Sequence, residues 1–502
     1  MSENVSGKES RGLSPAALLV AGAFFMEFLD GTVIATALPD MSKSFGVQAV
    51  DLNIGISAYL ITLAVLIPAS GWIADRFGAR KVFALALAIF TLASVFCGLS
   101  TTLEEFVAMR VFQGMGGALM VPVGRLAVLR TTPKHQLITA IATLTWPALV
   151  APIIGPPLGG FITSYADWRW IFFINVPLGI IAILLALRII PDLHEDTRRP
   201  FDLPGFVVTT LAMVSLVYAM ELMGAEPLRT GLTATLFIVG VAALSLVYAM
   251  ELMGAEPLRT GLTATLFIVG VAALSLALRH FKRATWPMIR LDAMQVPTFR
   301  VTLYGGSLFR ASISAVPFLL PLMFQVGFGM DAFHSGLLVL AVFVGNLTIK
   351  PATTPLIRSL GFKRLLLING SLNVLALLAC AFLTPQTPVW LVMLILYLGG
   401  VFRSIQFTAI STLAFADVPS AQMSYANTLF STATQLAVGL GITLGAIGIR
   451  IGEKVSETMG IAGMPGMSFR LAFVAIALIC LVGMVDTLRL TKNAGSAVSS
   501  KK

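Results

Sequence analysis

Fifteen apolar runs follow one another along this chain, centred on Ala23, Ala64, Ile89, Ala118, Leu149, Ile181, Thr210, Val241, Val271, Ser314, Phe343, Val374, Tyr397, Gln435 and Ile476. Each approaches the roughly 20 residues that a helix needs to cross a bilayer. Within lipid, backbone N–H and C=O groups must be satisfied inside the segment, and for runs of this length the helix does so. The fold class that follows is an all-α polytopic membrane protein. With 57% of its 502 residues hydrophobic and 12% charged, the chain has no room for a soluble domain. The longest polar stretches, 189–204 and 280–298, are too short for a globular core.

The net charge of +10 lies beside the apolar runs instead of on one basic face, which argues for membrane topology and against nucleic acid. Lys8 and Arg11, then Arg76, Arg80 and Lys81, then Arg130 and Lys134, then Arg188, Arg198 and Arg199 fall on one side of the first six runs. The opposite loops carry only Lys43 and Arg169. Basic loops stay cytoplasmic, so the amino terminus is expected in the cytoplasm. Ala35-Thr36-Ala37 imitates a signal-peptidase site, but the apolar segment before it is too long and contains Glu27 and Asp30, so it is read as a retained first helix. Cys97, Cys380 and Cys480 sit singly in apolar runs as packing residues; no disulfide, metal or cofactor is expected.

Residues 215–244 recur without a difference as 245–274. A structural repeat of the solenoid kind needs three units or more and normally diverges. If all three middle runs spanned, Lys282, Arg283, Arg290 and Arg300, and also Arg358, Lys363 and Arg364, would face outside. The charges therefore support fourteen spans, with one middle run not crossing.

Within the uncharged run 137–165 lies Gly155-Pro156-Pro157-Leu158-Gly159-Gly160. Glycines let a neighbouring helix approach and prolines free carbonyls, so these six residues read either as a pliable contact between moving helices or as a small-residue packing helix of any polytopic protein, and the surrounding chain decides between them. Gly71-Trp72-Ile73-Ala74-Asp75-Arg76-Phe77-Gly78-Ala79-Arg80-Lys81 joins the second and third runs. Its glycines permit a tight turn, Asp75 can cap the next helix or pair with an arginine, and Arg76, Arg80 and Lys81 can latch a neighbouring helix end. A gate explains Gly71, Asp75 and Gly78, which a plain positive anchor does not.

Glu27 and Asp30, three apart, share a face of the first helix. A carboxylate at this depth is costly when charged and so can load and release a proton; the alternative is a permanent packing pair with Arg110. Arg110 is placed to modulate the carboxylates, with Gln113 one turn away as a polar lining. Arg310, Lys350 and Arg403 fall within later runs without an acidic companion, which leaves room for anionic or zwitterionic substrates; snorkelling suits Lys350 and Arg403 better than Arg310.

The Gly71–Lys81 loop resembles the signature of the major facilitator superfamily, and Gly155, Pro156, Gly159 and Gly160 resemble its antiporter motif, with Ala151 where a glycine is usual. Trp168-Arg169-Trp170-Ile171-Phe172-Phe173-Ile174-Asn175-Val176-Pro177-Leu178-Gly179, Leu29-Asp30-Gly31-Thr32 through Ala37-Leu38-Pro39, and Arg110-Val111-Phe112-Gln113-Gly114 are similar to segments of fourteen-helix drug:proton antiporters. Arg358-Ser359-Leu360-Gly361-Phe362-Lys363-Arg364 is a degenerate echo of the first loop. The resemblance implies two six-helix bundles, 13–190 and 299–490, around two extra central helices in 191–298 that include the duplication, with tails 1–12 and 491–502 in the cytoplasm. It also favours Asp30 over Glu27 as the proton carrier.

The leading expectation is a proton-driven exporter of amphipathic organic compounds in a bacterial inner membrane. Its partners are a small-molecule substrate, protons and the bilayer; a periplasmic adaptor is left open. The runner-up exports one endogenous metabolite or organic anion. A membrane enzyme would need a concentrated catalytic set, yet His135, His194, His280 and His334 are scattered, and a sensor would need a soluble output domain.

Overall fold

The computed structural model describes residues 14–47, 49–191, 200–224, 257–330, 332–458 and 466–499, and these are helical with short connections. Nine helices among them are long and apolar enough to cross a membrane, joined by the shorter apolar helices Leu203–Ala219 and His334–Thr348.

The first bundle opens with α1 (Pro15–Phe45), started by Pro15 and closed by Gly46, whose left-handed φ of 67° lets its N–H turn back to Ser42 O. The second crossing is α2 (Asn53–Leu66), a tighter turn at Ile67–Ala69, and α3 (Ser70–Phe77). Gly78, at φ 87°, breaks the chain there, and α4 (Ala79–Leu99) returns. Next come α5 (Leu103–Thr131), α6 (Leu137–Thr145) and α7 (Pro147–Tyr165). The short α8 (Trp170–Phe173) leads into α9 (Asn175–Ile189).

Two central helices follow, α10 (Leu203–Gly224) and α11 (Pro257–Arg283), packed on each other. Asp202 ties them down: its Oδ1 accepts from Gly205 N at 2.9 Å and meets His280 Nε2 at 2.8 Å, while Oδ2 accepts from Met288 N at 3.0 Å. The middle run near Val241, and with it the junction of the duplication, lies outside the described residues.

The second bundle comprises α12 (Pro297–Leu322), extended by a wider turn over Met323–Gly327, then α13 (Ala332–Thr348), α14 (Lys350–Ala381), α15 (Val389–Ala416), α16 (Met423–Thr458) and α17 (Met467–Val485), with a final turn α18 (Ser496–Ser499). Gly361 interrupts α14 at φ 71°, ψ 161°, close to the φ 87°, ψ 132° of Gly78. The echo of the first-half loop is thus a backbone echo: a glycine in a conformation closed to other residues splits two crossings at matching places. The architecture is two six-helix bundles with two extra central helices. The bundles meet along α3, α5 and α6 on one side and α14, α15 and α16 on the other.

Candidate functional site

The first bundle buries a polar network at the middle of α1. Thr102 caps α5 by accepting Glu105 N at 3.2 Å, and the Glu105 carboxylate takes Thr101 N at 2.9 Å, which fixes the register of the helix. Arg110 and Gln113, one turn apart, then face α1. Glycines bring the helices together: a Cβ on Gly116 would lie 2.8 Å from Ala86 O, and one on Gly114 2.9 Å from Tyr59 O.

Asp30 Oδ2 accepts from Arg110 Nη1 at 2.7 Å, and its Oδ1 accepts from Gln113 Nε2 at 2.8 Å and Asn175 Nδ2 at 3.1 Å. Gln113 Nε2 also reaches Ser94 Oγ at 2.8 Å, and Gln113 Oε1 accepts from Arg110 Nη1 at 2.6 Å. Asp30 is 4% exposed, while Arg110, Gln113 and Asn175 are fully buried. Removing two charges from water costs several kcal/mol per ion, and only such charge-assisted bonds and the opposite charge offset it. Arg110 also lies 4.4 Å over the ring of Tyr59. Gln113, expected as a cavity lining, instead belongs to this buried network because its amide completes the shell of Asp30.

Glu27 lies one turn from Asp30 and is differently placed. Its Oε2 is shielded from solvent and has no hydrogen-bond partner among the described residues, as is true of Tyr59 Oη; a Cβ on Gly117 would touch both side chains, 3.6 Å from Glu27 Cδ and 3.1 Å from Tyr59 Oη. Of the two carboxylates, Asp30 is held by three donors and Glu27 keeps an oxygen to spare.

At the end of the bundles bearing the basic loops, Asp75 Oδ1 pairs with Arg130 Nη2 at 2.8 Å, both side chains largely buried. Of the two roles open to Asp75 it takes the pairing one, since Gly78 stands at the N-cap of α4. Arg80 Nε donates to Ile190 O, tying this turn to the end of α9. Arg76 and Lys81 are exposed. Gly71 faces the other half: a Cβ there would fall 2.2 Å from Thr428 Oγ1 and 3.3 Å from Ser424 Oγ.

That contact opens a seam. Asn427 Nδ2 donates to Pro122 O at 2.9 Å, Arg125 Nη1 to Ser431 Oγ at 3.2 Å, and Arg358 Nη2 to His135 O at 3.2 Å. Lys350 Nζ donates to Thr145 Oγ1 and Thr408 Oγ1, each at 2.9 Å, so it bridges the halves and does not snorkel. Ser424, Asn427, Thr428 and Ser431 recur at helical spacing on one face of α16. This polar stripe is legible in the sequence by its spacing, as is Asn175 within an apolar run, although neither pattern alone marks a site. Ser94 and Tyr59 carry no distinguishing signal in the sequence.

The antiporter-like motif packs α7 on α1. A Cβ on Gly155 would lie 2.2 Å from Thr32 Oγ1, and one on Gly159 2.2 Å from Thr36 Oγ1 and 2.8 Å from Val33 O, whereas Gly160 has nothing within 4 Å. Two glycines, not three, serve the close approach, because Gly160 points away from α1. The helix runs through Pro156 and Pro157 as one element and is interrupted earlier, at Trp146. In the second bundle Arg310 is 2% exposed, with Nη1 3.5 Å from Thr302 O and, among the described residues, Nε and Nη2 without partners. No site residue forms a metal cluster among the described residues.

Two helical bundles joined along a polar seam, with a buried ion pair inside the first, define a multi-pass membrane transporter. The chain belongs to the Major Facilitator Superfamily, whose sequence profile matches residues 20–442. It is 35% identical over 445 residues to the putative multidrug resistance protein MdtD of Salmonella paratyphi A, covering 88% of this chain and 87% of that one. The MdtD of Salmonella typhimurium matches equally, at 35% over the same shares. Among solved structures, the human organic anion transporter MFSD10 superposes with TM-score 0.61 at 15% identity, covering 94% of this chain and 99% of that one. The proton:xylose symporter XylE does so with TM-score 0.60 at 15% identity, covering 96% of each. At such identity these two speak for the fold alone.

Proposed function

We propose that the protein is a proton-coupled exporter of amphipathic organic compounds in a bacterial inner membrane, working by alternating access. The bundles 13–190 and 299–490 rock against each other, with the amino terminus and the basic loops in the cytoplasm. The observation that carries the reading is the pair of carboxylates on one face of α1: Asp30 held by Arg110, Gln113 and Asn175, and Glu27 one turn away with an unpartnered oxygen.

Asp30 and Glu27 take and release the proton, and Arg110 exchanges its partner as they do. The Asp75–Arg130 pair and the Gly71 contact latch the cytoplasmic end. The driving force is adequate, about 2.3 kcal/mol per charge per 100 mV before the pH gradient is added. The MdtD relatives are named for multidrug resistance, which agrees with a broad substrate range.

The test is uptake of fluorescent amphiphiles, cationic and anionic, into energised inverted vesicles with and without an uncoupler. Uncoupler-sensitive accumulation that needs the protein is expected. Its absence for dyes of both signs defeats the proposal.

A further inference from the structure

Between the bundles, two arginines face the same aromatic ring from opposite halves. Arg310 of α12 lies with its guanidinium 4.4 Å from the centroid of Phe430, and Arg125 of α5 reaches that ring at 5.5 Å. Phe430 is 3% exposed and packs against Phe415 at 5.1 Å, and Phe407 lies 5.9 Å from Arg310. Both guanidiniums lie against that one ring, so two like charges share this part of the seam. Such a pair is unfavourable without an anion between or beside it.

The protein supplies little compensation. Among the described residues Arg310 Nε and Nη2 have no acceptor, and its remaining polar contact, Nη1 to Thr302 O at 3.5 Å, is at the limit of a hydrogen bond. Arg125 has a neutral hydroxyl at Ser431 and shares the field of Glu27 across the first bundle. A buried guanidinium with open donors beside aromatic faces is suited to a planar anionic group carried on an apolar body. The carboxylate or sulfonate takes the fork of Arg310, and the ring stacks among Phe430 and Phe407.

We infer that Arg310, with Arg125 across Phe430, is the substrate anchor of this transporter and that it selects amphipathic aromatic anions. The inference rests on the export reading above and gives its substrate a sign. Because the two arginines belong to different bundles and share the ring of Phe430, an anion on the fork of Arg310 also offsets the charge of Arg125 across the seam, and parting the halves weakens that hold. Keeping Arg310 unpaired in the interior disfavours the folded state, which is the signature of a charge retained for a ligand.

Three radiolabelled probes sharing one ring test it: 1-naphthalenesulfonate, 1-naphthylmethylammonium and neutral 1-naphthalenemethanol. Uptake is followed in energised inverted vesicles holding the full chain. The sulfonate should accumulate at least tenfold above vesicles lacking the protein and exceed the other two. Arg310→Met should raise its KM tenfold or more, Arg310→Lys by less than threefold, and Arg125→Gln should act in the same direction as Arg310→Met. Thermal unfolding of the purified variants supplies a second readout: Arg310→Met should unfold at the same or a higher temperature, whereas a structural arginine would give a lower one. Export of the ammonium without the sulfonate, or an unchanged sulfonate KM in Arg310→Met, overturns the inference and leaves the exporter standing. Failure of all three probes to accumulate with uncoupler sensitivity overturns both.

Discussion

Replacing Asp30 with asparagine separates the electrostatic role of this carboxylate from its shape. In the native protein, Asp30 carries the charge opposite Arg110 at 2.7 Å, with both side chains 1% exposed. Asparagine keeps the volume but turns one acceptor oxygen into an amide that confronts the donors of Arg110, Gln113 or Asn175. Removing one partner of a buried pair leaves the other charge uncompensated, at a cost of about 3–5 kcal/mol. At 1.4 kcal/mol per tenfold, that is roughly two to four orders of magnitude in the population of this arrangement. Removing both charges, as in Asp30→Asn with Arg110→Gln, should recover most of that loss, because no naked ion remains. Thermal unfolding of purified protein should therefore rank wild type above or near the double variant and both above Asp30→Asn. Proton-coupled export should be lost in the single and the double variant alike, since neither has a titrating group at this position. Equal unfolding of the two variants would show that the pair is not the electrostatic unit drawn here, and full uncoupler-sensitive export by Asp30→Asn would refute its part in coupling.

Three further outcomes follow from the geometry of the seam and of α7. Asp75→Asn breaks the pair with Arg130 and should lower the maximal transport rate several-fold with little change in KM, since it touches a latch and not the substrate; a pure affinity loss would contradict this. Gly71→Leu places atoms where Thr428 Oγ1 lies 2.2 Å from the ideal Cβ, and overpacking of about 1–3 kcal/mol against the closed end should lengthen spin-label distances between the halves there; unaltered distances would remove the seam from the gate. Gly159→Ala meets Val33 O at 2.8 Å and should destabilise by about 1–3 kcal/mol, whereas Gly160→Ala, with open space, should be tolerated; equal unfolding temperatures would mean that α7 does not pack on α1 as described.

The helices and their grouping were legible because the bilayer imposes one solution on an apolar run, and the turn at Gly78 because a glycine between charged residues at a helix junction has few other uses. The acidic side of the site was legible for the same reason: Glu27 and Asp30 are conspicuous where charge is costly. Their different states were not. What separates them is a pair of neutral amide donors from other helices, Gln113 and Asn175, both also anchored on Ser94 Oγ as acceptor, converging through tertiary packing that one helix's sequence cannot report. Arg125 lies six residues from the end of α5, where sequence alone suggests a side chain reaching the membrane surface, yet packing turns it toward Phe430 and Ser431. Gly155, Gly159 and Gly160 look equivalent in sequence, and only the direction each faces on α7 tells them apart.

The duplication yields a final prediction. The described central helices take different copies: α10 ends with the first ten positions of 215–244, and α11 begins within 245–274 and contributes its last eighteen. Because the repeat is exact, removing 225–254, 215–244 or 245–274 produces one and the same polypeptide. In that product Gly224 is followed by Ala-Glu-Pro and then by the rest of α11, a short connection of the length that commonly joins antiparallel helices. The two helices it joins already pack together. Fourteen crossings would then place Lys282, Arg283, Arg290 and Arg300 on the side of Arg76 and Arg130, as the charge rule requires, whereas fifteen would invert the second bundle relative to the first. Such an inversion would set Arg358 on the opposite face from His135, to which it donates at 3.2 Å. Deleting 225–254 should therefore leave expression and export equal to or above those of the full chain, with a carboxyl-terminal reporter in the cytoplasm in both. Loss of export on deletion, or a reporter exposed outside the cell in the full-length protein, would make the extra copy a true crossing and this topology wrong.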